Sequence, residues 1–151
     1  MSFDREIYVN LPVANLDRSM AFFRRLGFEF NARFTNEKCA CLVIGENSFV
    51  MLLPDPVFEE FIPGKSISDT NTSAEALVAV SVPDREAVDD MVRQAVEAGG
   101  SAYREPADFG WVYYRAFQDL DRHIWEVMAT DESLAPGGEP DEPDEFKEGD
   151  Q

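Results

Sequence analysis

One succession of signals, a strand, a capped helix and three more strands, occurs twice in this chain, and this repeat restricts the possible folds most. Residues 7–13 (IYVNLPV) alternate apolar and other side chains with period two, which predicts a strand. Apolar residues at helical spacing follow over 16–26, with Asn15 as the N-cap and Gly27 as the C-terminal stop. Three strand patterns, FEFNARF, CACLVIG and NSFVMLL, complete the first unit.

The same order returns in the second half of the chain. Residues 76–82 (ALVAVSV) have an apolar strand pattern, and Asp84 caps a helical pattern that stops at Gly99. The segments SAYR, WVYYRAF and HIWEVMA then predict three strands. A repeat of this length is too long for a solenoid unit and is typical of paired modules. We therefore expect an α+β fold built from two βαβββ modules in tandem.

The repeat divides the chain into one domain over residues 1–130 and a terminal segment. Its modules are expected at about 6–54 and 75–130, with 55–74 as the linker between them. Residues 131–151 contain nine acidic side chains against one basic one, together with frequent proline and glycine. Because such a segment buries too little apolar surface to offset its ordering entropy, it predicts an acidic disordered tail. That tail serves solubility or binds a partner.

Charge and composition exclude several classes of protein. The chain has 151 residues, 44% of them hydrophobic, and can bury the core of one ordinary domain. Its formal net charge of −17 argues against nucleic-acid binding, because phosphate backbones are bound by clustered Lys and Arg. No apolar run reaches the roughly 20 residues of a membrane helix, and no leader pattern opens the sequence. A cytoplasmic protein that contacts no membrane is expected.

Two stretches of the chain carry a resemblance to a known family. They are NLPVANLDRSMAFFRRLGFEF in the first module and FQDLDRHIWEV near the end of the second. In them the chain resembles the vicinal oxygen chelate superfamily of glyoxalases, bleomycin-resistance proteins and extradiol dioxygenases, and in particular its predicted lactoylglutathione lyases. The resemblance implies a cupped mixed β-sheet with the helices on its outer face, and a functional site in the cup between the modules.

In metal-using members of this superfamily, one residue from the first strand and one from the last strand of each module hold a divalent ion. The resemblance places Tyr8, Met51, Leu77 and Glu126 at these four positions. Only Glu126 is a competent ligand, and a single carboxylate does not hold such an ion in competition with water. We therefore expect neither a metal nor another cofactor.

Strand alternation and an aromatic cluster supply the remaining candidates. Because the first helix covers the other face of the first strand, alternation turns Tyr8 and Asn10 away from that helix. These two are expected to share one cavity with further residues, namely Met51, Leu77, Arg115 and Glu126. Trp111 and Tyr113 follow the segment PADFG and either contact a ligand or simply pack.

The roles of three polar residues stay open at this point. Glu126 is either a functional carboxylate or one half of a structural ion pair with Arg115 on the neighbouring strand. Asn10 either binds a ligand or satisfies a strand edge. His123 is expected to have a structural, hydrogen-bonded role. The turn before His123 has Arg122 where the superfamily's usual turn has glycine, which leaves open whether a left-handed residue is kept there.

Three functions follow as hypotheses. The first is a metal-independent protein that binds an apolar or cationic small molecule in the cup, with cations favoured by the acidic charge. The second is a divergent lyase or isomerase that uses Glu126 and Tyr8 as acid and base. The third is a non-catalytic oligomerisation domain whose cup is filled by its own side chains. A homodimer is expected, because a half-barrel exposes apolar surface.

Overall fold

The computed structural model describes residues 4–137. Each half of that range contains four strands, the first half two helices and the second half one. In chain order the elements are β1 Ile7–Val13, α1 Leu16–Arg25, β2 Glu29–Phe30, β3 Ala40–Gly45, β4 Ser48–Pro54, α2 Asp55–Glu60, β5 Leu77–Ser81, α3 Arg85–Glu97, β6 Ser101–Asp108, β7 Val112–Gln118 and β8 Ile124–Thr130.

The strands form two four-stranded mixed sheets with the same topology. The first has the order β1-β4-β3-β2 and the second the order β5-β8-β7-β6. In each sheet the first strand of the module pairs in parallel with the last, and the other pairs are antiparallel. The expected α+β fold of two tandem βαβββ modules is therefore confirmed.

Helix α1 begins at the predicted residue and ends at Arg25, one residue before the predicted end, with the predicted caps. The Asn15 side chain accepts a hydrogen bond from the Arg18 N–H at 3.0 Å, which satisfies one free donor of the first turn. Gly27 follows the helix with a φ of 93°, a left-handed conformation that glycine adopts without steric cost. Phe22 and Phe23 lie on the buried side of the helix.

The same helix joins the two modules into one hydrophobic core. The Phe23 ring lies 4.9 Å from the Trp125 ring of β8, and the Phe22 ring lies 6.2 Å from that of Phe117 in β7. Phe117 and Trp125 are paired across the second sheet, on the face that α3 also covers with Val88. The helix-bearing faces of both sheets are thus buried together, with about 1.5–3 kcal/mol expected from each large apolar side chain.

The opposite face of each sheet, which we call its open face, is turned away from this core. Strand register assigns the side chains: on the first sheet Tyr8, Asn10, Phe49, Met51 and Leu53, and on the second sheet Leu77, Ala79, Tyr114, Glu126 and Met128. Tyr8 keeps 44% of its surface exposed and Leu77 keeps 56%, which is unusual for large apolar residues in the middle of a fold.

A turn between β7 and β8 fastens the second module to the first. Asp121 Oδ1 accepts a hydrogen bond from the Ala14 N–H at 2.8 Å, just before α1 begins. The His123 ring nitrogen Nε2 lies 2.6 Å from the Pro12 carbonyl oxygen, which agrees with the structural role expected for the histidine. Arg122 has a φ of 62°, so the turn keeps its left-handed residue although the side chain is not glycine.

Asp119 holds the same turn from inside. This buried carboxylate accepts hydrogen bonds from the Trp125 Nε1–H at 3.0 Å and from the backbone N–H groups of Asp121 and His123. Burial raises the pKa of Asp119 because it disfavours the charged form, while the nearby His123 acts in the opposite direction. Three donors on one buried acceptor make this carboxylate a structural anchor.

One predicted strand boundary was wrong. The strand expected over FEFNARF is shorter, because the Asn31 side chain accepts a hydrogen bond from the Arg33 N–H and starts a 3-10 helix at Ala32–Phe34. At the start of the segment 131–151, for which a disordered tail is expected, a 3-10 helix lies at Glu132–Leu134, preceded by a 2.7 Å hydrogen bond from the Asp131 N–H to the Trp111 carbonyl. Residues 138–151 of that tail lie outside the described residues.

Candidate functional site

Tyr8, one of the four positions that resemble a metal site, lies on the first open face. Its hydroxyl donates a hydrogen bond to the Glu6 carboxylate, and its ring stacks on Phe49 with 4.9 Å between centroids. The hydrogen bond to Glu6 raises the pKa of Tyr8, because the neutral phenol is the form that donates. Tyr8 therefore offers a neutral aromatic ring rather than an anionic phenolate ligand.

On the second open face, Glu126 forms an ion pair with Arg104. The Arg104 Nη2 lies 2.9 Å from the Glu126 Oε1, and the guanidinium lies 5.1 Å from the centre of the Tyr114 ring. The Glu126 side chain is only 17% exposed. The ion-pair alternative for Glu126 is thus the observed one, but with a different arginine from the one expected.

Sequence reasoning missed Arg104 because the backbone there is irregular. Its φ is 46°, and the pairing of β6 with β7 shifts register between Tyr103 and Ala107. Regular alternation assigns faces only where the ladder is continuous, so this bulge changes the side-chain direction. Pro106, which lacks the N–H needed in a ladder, is the sequence signal that marks the irregular stretch.

The predicted placement of Arg115 in the cup was wrong. Arg115 pairs with Val127 of β8 and points to the helix-bearing face, where its Nη1 lies 3.1 Å from Asp89 Oδ1 of α3. The Tyr113 hydroxyl donates to the same oxygen at 2.6 Å. Tyr113 and, to a lesser extent, Arg115 lower the pKa of Asp89 by stabilising its charged form. Tyr114, one residue away, occupies the open face instead.

Trp111 also lies away from the open faces. It lines a groove of about 580 Å³ at the start of α3, together with Asp84, Glu86 and Thr130. Beside this groove, Arg85 and Asp108 form an ion pair at 2.6 Å, and that pair lowers the pKa of Asp108 to about 2. Neither Trp111 nor Tyr113 therefore lies on the open face of the second sheet, whereas the neighbouring Tyr114 does.

The four positions that resemble a metal site do not fit a divalent ion. Leu77 has no donor atom, Met51 offers a thioether, and Tyr8 is a neutral phenol bound to Glu6. Glu126 is the one carboxylate, and Arg104 already compensates its charge. Within residues 4–137 no group of three or more His, Cys, Asp or Glu side chains has a geometry suited to a metal.

Within one chain, the open-face residues do not converge on a shared cavity. Tyr8 contacts Glu6 and Phe49, whereas Glu126 contacts Arg104. Neither Tyr8 nor Glu126 lines the groove at the start of α3 or the cavities beside Asn10 and His123. The two open faces are therefore separate surfaces in the single chain.

A cavity does lie where the modules meet. This junction cavity has a volume of about 190 Å³, and Leu11, Pro12 and Ile124 form its buried apolar wall. An adjoining cavity of about 330 Å³ lies between helix α2 and the first open face. Asn10, one of the predicted ligand residues, lines both cavities.

Comparison with known proteins supports the fold. A family model described as bleomycin resistance protein-like N-terminal matches residues 5–45. Among curated proteins, none matches the sequence. None of the helices within residues 4–137 has both the length and the apolar surface to cross a membrane.

Solved structures match over most of the chain. A hypothetical protein from S. aureus is 29% identical with a TM-score of 0.71, over 82% of this chain and 92% of that one. A glyoxalase/bleomycin resistance protein/dioxygenase family enzyme from Burkholderia phytofirmans PsJN is 20% identical with a TM-score of 0.69, over 82% and 96%. The fosfomycin resistance protein FosX from Listeria monocytogenes is 20% identical with a TM-score of 0.59, over 83% and 90%. With its two βαβββ modules and these neighbours, the chain has the fold of the glyoxalase/bleomycin resistance protein/dioxygenase family structures.

Proposed function

We propose that this chain is a metal-independent small-molecule-binding protein that acts as a homodimer. The ligand lies between the first open face of one chain and the second open face of its partner. The observation that carries this proposal is the exposure of Tyr8 and Leu77 on faces that the chain's own core leaves uncovered. Exposed apolar faces of this kind mark binding or association surfaces.

The packing of the modules supports a site made by two chains. Phe22 and Phe23 of α1 bind the modules together through their helix-bearing faces, which turns the open faces outward. A second copy of the chain completes both sites at once, because a two-fold axis places the first open face of each chain against the second open face of the other. The site is then enclosed only in the dimer, and neither open face binds the ligand tightly alone.

The Arg104–Glu126 pair favours binding over proton transfer. A carboxylate that acts as a general base loses its negative charge when it takes a proton, and here that charge is paired with a guanidinium at 2.9 Å. The pair instead offers a fixed set of donors and acceptors beside the Tyr114 ring. This arrangement supports recognition of a polar group on an otherwise apolar ligand, and it gives the lyase alternative less support.

The charge of the chain supports a cationic ligand. The formal net charge is −17, so the potential around the protein attracts cations and repels anions. The first open face contributes the Tyr8 ring, stacked on Phe49, which suits an apolar cation, whereas the Tyr114 ring of the second already contacts the Arg104 guanidinium. We therefore propose an apolar cation as the ligand class.

Two probes of equal shape and opposite charge test this proposal. Calorimetric titration of the full chain with tetraphenylphosphonium should give saturable binding, and tetraphenylborate should bind at least about tenfold more weakly. Leu77→Lys should abolish binding. Val96→Lys is the matched control, because Val96 is 48% exposed on α3 and receives the same new charge away from both open faces. Equal binding of both probes, or equal loss in both variants, contradicts the proposal.

A mixing experiment tests whether the site uses two chains. Tyr8→Lys damages the first open face and Leu77→Lys the second, so each homodimer has two defective sites. In a mixed dimer one site combines both undamaged faces, and about a quarter of the binding capacity should return after subunit exchange. Binding that stays absent in the mixture, although mixed dimers are present by native mass spectrometry, rules out the two-chain site.

A further inference from the structure

The junction cavity has an apolar wall and two unused charges of opposite sign. Glu75 of the linker and Arg122 of the β7–β8 turn both line it, as do the buried residues Leu11 and Ile124. Within residues 4–137, neither charged side chain has an ion-pair or hydrogen-bond partner, and the two lie farther apart than an ion pair allows. Both charges are therefore available to a ligand in the cavity.

The segments that carry these charges are held in place. The Arg122 N–H donates to the Asp119 carbonyl oxygen at 3.1 Å, and its left-handed backbone fixes the start of the side chain. The Thr70 hydroxyl of the linker donates to the Asp121 carbonyl oxygen at 2.8 Å, which fastens the linker to the turn. A site built on anchored backbone loses little entropy when it binds.

An apolar extension adjoins the charged end of the cavity. Asn10 and Phe58 line both the junction cavity and the neighbouring cavity, which is otherwise lined by Leu53, Phe61 and Ile62. Phe61 is 72% exposed at its edge. The combined volume suits a charged head group of a few atoms joined to a large apolar side chain.

We propose that the junction cavity binds a small zwitterion with a large apolar side chain, an aromatic α-amino acid. The carboxylate pairs with Arg122, the ammonium group pairs with Glu75, and the side chain lies against Phe58 and Phe61. Arginine binds carboxylates through paired N–H donors, and an ammonium group is a suitable donor to a carboxylate. This site borders the first open face at Asn10 and Leu53 but takes a different ligand from the one proposed there.

Three probes that share one phenyl ring test the assignment of charges. L-phenylalanine carries both charges, 3-phenylpropionate lacks the ammonium group, and 2-phenylethylamine lacks the carboxylate. Calorimetric titration of the full chain should give the highest affinity for L-phenylalanine, with each single-charge probe at least about tenfold weaker. Equal affinities, or no binding of L-phenylalanine at millimolar concentration, overturn the proposal.

Two variants assign each charge to one side chain. Arg122→Gln should lower the affinity for L-phenylalanine to that for 2-phenylethylamine, and Glu75→Gln should lower it to that for 3-phenylpropionate. Arg33→Gln and Glu37→Gln are the matched controls on the exposed segment between β2 and β3, and they should leave all affinities unchanged. Unchanged affinity in both cavity variants contradicts the site.

The same experiments distinguish the two proposed sites. Leu77→Lys should abolish tetraphenylphosphonium binding and leave L-phenylalanine binding unchanged, and Arg122→Gln should have the reverse effect. If L-phenylalanine binding falls in Leu77→Lys to the same degree as in Arg122→Gln, it occurs on the open face and the junction site is wrong. If tetraphenylphosphonium does not bind, the measurements with L-phenylalanine still test the site in the junction cavity.

Discussion

The two modules have the same topology but hold their helices by different chemistry. In the first, α1 packs through aromatic and aliphatic side chains, with Phe23 at its centre. In the second, α3 buries the smaller Val88 and Val92 and adds polar links from Asp89 and Arg85 to the sheet. The comparison indicates that both helices use an apolar face, and that the hydrogen bonds of α3 go to its own sheet whereas those of Ser19 and Arg25 in α1 go to the other module.

The largest expected effect comes from the aromatic contact that joins the modules. Phe23→Ala should lower the free energy of unfolding by about 3–5 kcal/mol, because it leaves a cavity between α1 and Trp125. Since the core is continuous, the far-UV signal and the Trp fluorescence should lose their native values at the same urea concentration.

Phe34→Ala is the control for that variant, since Phe34 is 54% exposed and lies outside the core. It should change the free energy of unfolding by less than about 0.5 kcal/mol. Two separate transitions in Phe23→Ala would mean that the modules are independent and that α1 does not unite them.

A smaller effect is expected from a polar link of the second module. Tyr113→Phe removes the hydroxyl that donates to Asp89 and should lower the free energy of unfolding by about 0.5–1.5 kcal/mol. Tyr103→Phe removes a hydroxyl from a side chain that is 40% exposed and should cost less. If the two variants are equally stable in chemical denaturation, the polar links contribute nothing to the second module.

The smallest effect is the pH dependence of the exposed Arg85–Asp108 pair. The pKa of Asp108, about 2, lies below the ordinary 3.8. The pair therefore stabilises the folded state above about pH 4, and that contribution disappears as the pH falls towards 2. The Asp108→Asn variant should therefore have a slightly lower melting temperature than the parent protein at pH 7, and this difference should disappear near pH 2.

Arg85→Gln should reproduce that profile, because without the guanidinium Asp108 loses the main cause of its lowered pKa. Melting temperatures measured by calorimetry between pH 2 and 7 provide the comparison. A difference between Asp108→Asn and the parent protein that stays constant over this range would show that the pair has no titrating contribution.

The sequence predicted the order of elements and most side-chain faces, because both follow from local periodicity. Residues 7–13 alternate so clearly that β1 has the predicted bounds, and the caps Asn15 and Asp84 accept the hydrogen bonds expected of them. The same alternation placed Tyr8 and Glu126 correctly on the faces away from the helices.

Site residues were harder to predict where the strands are irregular. The segment WVYYRAF has no clear polar face, and the predicted face was wrong by one residue. Tyr114 therefore lies on the open face, where Arg115 was expected. The bulge in β6 places Arg104 beside Glu126, and sequence periodicity cannot predict that position. Glu75 and Arg122 meet at one cavity only because the linker crosses the β7–β8 turn.

By itself, the sequence determined two repeated modules, the order of their elements and the residue types at the four positions that resemble a metal site. These properties depend on residue type and on spacing within one segment. Only the tertiary structure decided which arginine pairs with Glu126 and that the helix-bearing faces join the modules. These contacts link residues far apart in the chain, so their energies depend on how whole elements pack, which local periodicity does not record.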